Sequence, residues 1–127
     1  MTAKLPAILL LLTDARLRDI YLNRFDKLGW MAEAATNLVD AERRAVQLRP
    51  DLVLVDPKNL DDPKINFKRF KALPTLHKAK IVVADRHFSA SEIRSFMQAG
   101  ADAIVTTAHL SPQALIKHLN QLLTQDL

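Results

Sequence analysis

The segment Leu52-Val53-Leu54-Val55-Asp56 constrains the fold of this chain more than any other. Four consecutive apolar residues leave no polar face, so a strand built from them must be covered on both sides. That is the situation of a central strand in a parallel sheet. The closing Asp56 then falls at the carboxyl edge of the sheet, where open α/β folds gather their ligands and chemistry.

The rest of the sequence supplies partners for that strand. Ala7–Leu12 and Ile81–Ala84 are two further buried runs, and Trp30–Ala35 and Ala103–Val105 are shorter strand candidates. Amphipathic stretches lie between them. Thr13 or Asp14 caps a helix whose apolar face is Leu17, Ile20, Tyr21, Phe25 and Leu28, and Gly29 stops it. Asn37 caps a second helix lined by Leu38, Ala41, Ala45 and Leu48, ended by Pro50. Asp62-Pro63 is a cap followed by Pro at the first helical position, ahead of Ile65, Phe67, Phe70 and Leu73. Ser89 and Glu92 form a capping box for a helix that Gly100 closes. Ser111-Pro112 repeats the cap-plus-Pro signature before Leu115, Ile116, Leu119, Leu122 and Leu123. Five strands alternating with five helices predict an α/β fold. The economical form is a doubly wound, parallel five-stranded sheet of flavodoxin-like (βα)5 topology, order 2-1-3-4-5.

Length and composition narrow the function classes. A chain of 127 residues with 49% hydrophobic residues is expected to form one domain, residues 1–127, with a core of its own. The absence of Cys excludes disulfides, zinc–thiolate sites and thiol catalysis. The apolar run at Ala7–Leu12 is too short for a membrane span and lacks a cleavage signature, so no membrane association and a cytoplasmic location are expected. With only Gly29 and Gly100, the chain has no glycine-rich phosphate loop, which argues against dinucleotide and P-loop enzymes. No nucleophile–base constellation is evident, so no catalytic residue is assigned. His87 lies two residues after Asp85, and His77, His109 and His118 show no metal-ligand spacing.

The net charge of +4 is concentrated rather than spread. Residues 58–80 contain Lys58, Lys64, Lys68, Arg69, Lys71, Lys78 and Lys80 against Asp61 and Asp62, a local excess of +5. The plain reading is a solvated helix face with a lysine-bearing loop. The functional alternative is an adaptor surface for an acidic partner, or for nucleic acid if Phe67 and Phe70 join the basic residues. Nucleic-acid readers usually carry a basic domain with groove-entering elements, which argues against the latter.

Three segments carry a family resemblance: Pro50-Asp51-Leu52-Val53-Leu54-Val55-Asp56, Ala99-Gly100-Ala101-Asp102-Ala103 and Ser111-Pro112-Gln113-Ala114-Leu115. With the run from Tyr21 through Phe25 to Leu28-Gly29, they make the chain resemble the CheY-like receiver domains of two-component response regulators over almost its whole length. The resemblance implies an acyl-phosphate switch. In that family an Asp accepts the phosphoryl group, two acidic side chains hold Mg²⁺, a Thr or Ser and a Lys bind the phosphoryl oxygens, and an aromatic residue follows the switch. Here Asp56 matches the acceptor. The acidic pair falls on Leu12 and Thr13, the Thr/Ser on Asp85, the Lys on Thr107 and the aromatic on Ile104. The nucleophile remains and each of its helpers is replaced.

A phosphoryl group on Asp56 would place roughly two negative charges near Asp85. At ~5 Å and an effective dielectric of ~20 the repulsion is of order 5 kcal/mol. Mg²⁺ and a Lys normally offset such charge. Pro57 also removes the backbone N–H beside the acceptor. The expectation is therefore a pseudo-receiver, not phosphorylated by the usual route and without a resident cofactor. It would act as an interaction module for a histidine kinase or a downstream signalling protein. The resemblance further implies a partner or homodimer surface on the fourth helix, fifth strand and fifth helix, here Glu92–Gln98, Ala103–Val105 and Pro112–Leu123. The alternative keeps Asp56 phosphorylatable with a displaced metal site in which Asp14, Asp56 and Asp85 converge on a hard cation. The plain reading, which is favoured, has Asp14 as a helix N-cap, Asp85 as a solvated loop residue and Asp56 as a remnant.

Overall fold

In the computed structural model, which describes residues 5–124, strand β1 (Ala7–Leu11) occupies the middle of a five-stranded sheet. β1 pairs in parallel with β2 (Met31–Ala34) on one side and with β3 (Leu52–Val55) on the other. β4 (Lys80–Asp85) and β5 (Ala103–Thr106) extend the sheet beyond β3, again in parallel. The order β2-β1-β3-β4-β5 is the flavodoxin-like arrangement read from the sequence. The helices between strands are α1 (Ala15–Lys27), α2 (Leu38–Leu48), α3 (Pro63–Ala72) and α4 (Ala90–Ala99), and α5 (Pro112–Leu123) closes the fold.

Because strand side chains alternate, the central strands divide their apolar residues between two layers. Leu9, Leu11, Val53, Val55 and Val83 pack with Ala41, Ala45, Phe67, Phe70 and Phe96 from α2, α3 and α4. Ile8, Leu10, Leu52, Leu54 and Val82 pack with Tyr21, Phe25, Leu115 and Leu119 from α1 and α5. Trp30 is half-buried and stacks on Phe25 with ring centroids 5.4 Å apart. Two residues assigned to helix core faces lie outside: Leu28 is 49% and Ile65 56% exposed. Leu28 is the cap residue past the end of α1, where the chain turns at Gly29 (φ 77°). Ile65 sits in the first turn of α3, before Phe67 and Phe70 meet the sheet.

The capping signals act as read. Asn37 accepts from the Asp40 N–H at 2.8 Å, and Ser89 and Glu92 form a reciprocal box. Asp62 and Ser111 cap helices whose first residue is Pro. α2 stops at Arg49 in the left-handed region (φ 51°), ahead of Pro50. Two aspartates fasten the amino-terminal edge of the sheet. Asp51 Oδ2 accepts the Ala7 N–H at 2.8 Å, and Asp102 Oδ2 accepts the Ile81 N–H at 2.7 Å. Among the described residues no helix is long and apolar enough to cross a membrane.

Asp40 carries the strongest perturbation. Hydrogen bonds from Arg44, from the Thr36 backbone N–H and from Arg43 hold its carboxyl well below the usual carboxylate range. A depressed folded value means that its stabilisation is complete above the unfolded value of ~3.9 and is lost as pH falls through the acid range. Urea unfolding followed from about pH 5 to about pH 2 should therefore show a shallower loss of stability in Asp40→Asn than in the parent. Parallel curves would remove Asp40 from the acid response.

Candidate functional site

Four loops at the carboxyl edge of the sheet surround a cavity of about 140 Å³. Leu12, Thr13 and Asp14 come from the loop after β1, and Asp56, Pro57 and Lys58 from the loop after β3. Ala84, Asp85 and Arg86 come from the end of β4, and Thr107 follows β5. Leu17 and Tyr21 of α1 form the remaining wall. The fold thus brings Leu12, Thr13, Asp14, Asp56, Asp85 and Thr107 together as the sequence predicts. Ile104 does not join them: it is half-buried against the layer that contains Val83 and Phe96.

Asp56 is fully engaged. Its backbone N–H donates to Leu11 O at 3.1 Å, continuing the ladder one residue past β3. Its Oδ2 accepts the Thr13 N–H at 2.6 Å. Its Oδ1 accepts from Asn59 Nδ2 at 2.7 Å, from the Asn59 N–H at 3.2 Å and from Thr13 Oγ1 at 3.3 Å. The same Asn59 amide lies 3.1 Å from Leu11 O and 3.2 Å from Thr13 Oγ1. Asp56 is also the N-cap of a short 3-10 turn, Pro57–Asn59. The carboxylate therefore closes a clasp between the loops after β1 and β3. Charge-assisted hydrogen bonds of this kind are roughly twice as strong as neutral ones.

Asp14 turns onto its own helix, where Oδ1 accepts from the Arg16 and Leu17 N–H groups at 2.9 and 3.2 Å. Asp85 is exposed, and its Oδ1 accepts from the adjacent Arg86 N–H at 2.8 Å. Although the three carboxylates share one cavity, no group of three or more His, Cys, Asp or Glu among the described residues is placed to hold a metal ion. A hard divalent cation needs several oxygen ligands, near-octahedral for Mg²⁺. Leu12 offers none, Thr13 offers only a hydroxyl, and both Asp56 oxygens already accept protein donors. The side chains present do not fit that ion.

Two of the basic side chains of the 58–80 segment are engaged in ion pairs. Arg69 pairs with Glu42 at 2.6 Å. Lys71 pairs with Asp102 at 3.4 Å and donates to Ala79 O. Lys80 opens β4, while Lys64, Lys68 and Lys78 are exposed. Phe67 and Phe70 are each 2% exposed, so they are core residues on which no base could stack, and the basic-aromatic alternative falls away.

Four residues of the site escape the sequence reading: Lys58, Asn59, Arg86 and Tyr21. Asn59 had a usable signal. Asp56-Pro57 is the same cap-plus-Pro pair as Asp62-Pro63, and a cap acceptor draws its donor from the residue three positions on, here Asn59. Tyr21 satisfies helical core spacing, which conceals its hydroxyl.

No family model matches the chain, and no curated protein matches it. Solved structures do. The chain has the fold of CheY-like response-regulator receiver domains. It is similar to a response regulator from Thermotoga maritima at 16% identity and a TM-score of 0.82, covering 96% of this chain and 100% of that one. A receiver domain protein from Methanospirillum hungatei aligns at 20% identity and a TM-score of 0.78 over 94% of each chain. The receiver domain of a sensor histidine kinase from Pseudomonas aeruginosa, whose structure has a magnesium ion coordinated in the active-site cleft, aligns at 16% identity and 0.76 over 94% of this chain and 98% of that one.

The clasp makes a prediction about stability. Removing a carboxylate that satisfies several donors leaves them unpaired, at a cost of roughly 1–3 kcal/mol. Asp56→Ala should therefore lower the unfolding free energy by about that amount, whereas Asp85→Ala at the exposed rim should change it by less than about 0.5 kcal/mol. A stability gain in Asp56→Ala would mark the carboxylate as a strained, reactive group instead.

Proposed function

We propose that this chain is a receiver-fold interaction module of two-component signalling in which Asp56 is a structural acceptor and not a phosphoryl acceptor. One observation carries the reading: both Asp56 oxygens accept hydrogen bonds from Thr13 and Asn59. Each oxygen is therefore already held by a protein donor, which ties the carboxylate to the loop after β1 and to the turn at Asn59. The groups that would assist phosphoryl transfer are lacking at the matching positions, which hold Leu12, Thr13, Asp85 and Thr107. The magnesium-holding receiver of Pseudomonas aeruginosa has this fold.

Output then rests on surfaces. Helix α4 buries only Phe96 and leaves Ile93 and Met97, one turn apart, facing solvent. That apolar pair suits a protein partner, either a histidine kinase or a downstream signalling protein, or a second copy using α4, β5 and α5. Without a resident cation and a reactive Asp56, the face keeps one conformation.

The test is intact-mass measurement after incubation with Mg²⁺ and acetyl phosphate. No phosphoryl adduct should accumulate. Stoichiometric labelling that maps to Asp56 and disappears in Asp56→Asn would overturn the reading.

A further inference from the structure

The cavity beside Asp56 has a lining that the interaction role does not use. Its floor is apolar, made by Leu12, Leu17 and Ala84. Around this floor stand charged groups of both signs: Asp14, Asp56 and Asp85 against Lys58 and Arg86. Among the described residues none of these five forms an ion pair with another. Asp14 and Asp85 each use only Oδ1 in a hydrogen bond and leave Oδ2 without one.

Tyr21 supplies a second, independent observation. It is 3% exposed and lines the cavity, and no hydrogen bond engages its hydroxyl. No side-chain oxygen or nitrogen that is fully shut off from solvent lacks a partner among the described residues, so the hydroxyl keeps solvent contact on a residue that lines the cavity. Burial first, and the Asp14 charge second, raise the phenol above its ordinary value. It therefore stays protonated at neutral pH and presents an O–H donor.

From this lining we infer that the cavity binds a small zwitterion of the amino-acid class. The size fits: a cavity of about 140 Å³ is close to one that accepts benzene, so it holds roughly six heavy atoms. The charges fit as well. An ammonium group meets the open carboxylate oxygens of Asp14 and Asp85. A carboxylate meets Arg86, Lys58 and the Tyr21 hydroxyl, and the short carbon body lies over Leu12, Leu17 and Ala84. A simple anion such as phosphate would face three carboxylates and only two cations. A bare divalent ion lacks its ligands, as shown above. The inference rests on the reading of Asp56 as a held, unreactive group, because a phosphorylated Asp56 would fill the same space.

Amide chemical shifts and melting temperature should be followed while glycine, L-alanine and γ-aminobutyrate are titrated into the protein, with acetate and ethylammonium as single-charge controls. At least one zwitterion should give saturable shifts at Thr13, Arg86 and Thr107 and bind at least about tenfold tighter than either control, the gain expected when both charges are recognised. Arg86→Gln should weaken that binding about tenfold and Tyr21→Phe about threefold, with the dispersion of the ligand-free spectrum unchanged. The inference is overturned if no zwitterion shifts these amides at tens of millimolar, if a single-charge control binds equally well, or if both variants bind like the parent. A phosphoryl adduct on Asp56 would instead sink the earlier reading and this one together. Absent zwitterion binding with Asp56 unlabelled defeats only this one.

Discussion

A carboxylate at the end of a buried parallel strand must be given hydrogen-bond donors, a counter-ion or a reaction. That constraint governs the whole carboxyl edge of this sheet. Asp56 follows four residues with no solvent exposure, and the protein answers with donors. The Thr13 N–H comes from the loop after β1, and the Asn59 amide from the 3-10 turn that Asp56 itself caps. Once those bonds exist, the two loops are tied together and each carboxylate oxygen already accepts a protein donor. The proposal of a fixed interaction module descends from this arrangement.

The two core layers make the fold independent of the side chains at the rim. Every residue of β1 and β3 is buried, and successive side chains feed opposite layers. Hydrophobic burial at roughly 25 cal/mol per Å² dominates the folding free energy, and none of it depends on the rim carboxylates. The fold therefore does not require any particular chemistry at its edge. This accounts for close structural similarity at 16–20% sequence identity.

Much of this architecture was legible in the sequence because it rests on local signals. The apolar runs of β1, β3 and β4 cannot be anything but buried, and the caps at Asn37, Asp62, Ser89 and Ser111 have fixed offsets to their donors. Helix ends were less legible. Leu28 and Ile65 obey helical spacing but lie at the last and first turns, where the sheet no longer covers them. In the site, the resemblance named the positions that meet at the sheet edge, but not where the carboxylates point. The clasp depends on Asn59 reaching 48 residues back to Leu11, a pairing that no spacing rule encodes. The Tyr21 hydroxyl was hidden for a related reason: one face of a ring can be core while its tip is not.

The aspartates at strand ends carry a mechanical consequence. Asp51 binds the first residue of β1, Asp102 binds β4, and Asp56 binds the chain just beyond β1. β1 is thus pinned to the β3 segment at both of its extremities, by side chains as well as by ladder bonds. Pulling β1 along its axis would load these carboxylates in shear before the interior bonds part. The acids on the rims of the sheet work here as a set of rivets against slippage.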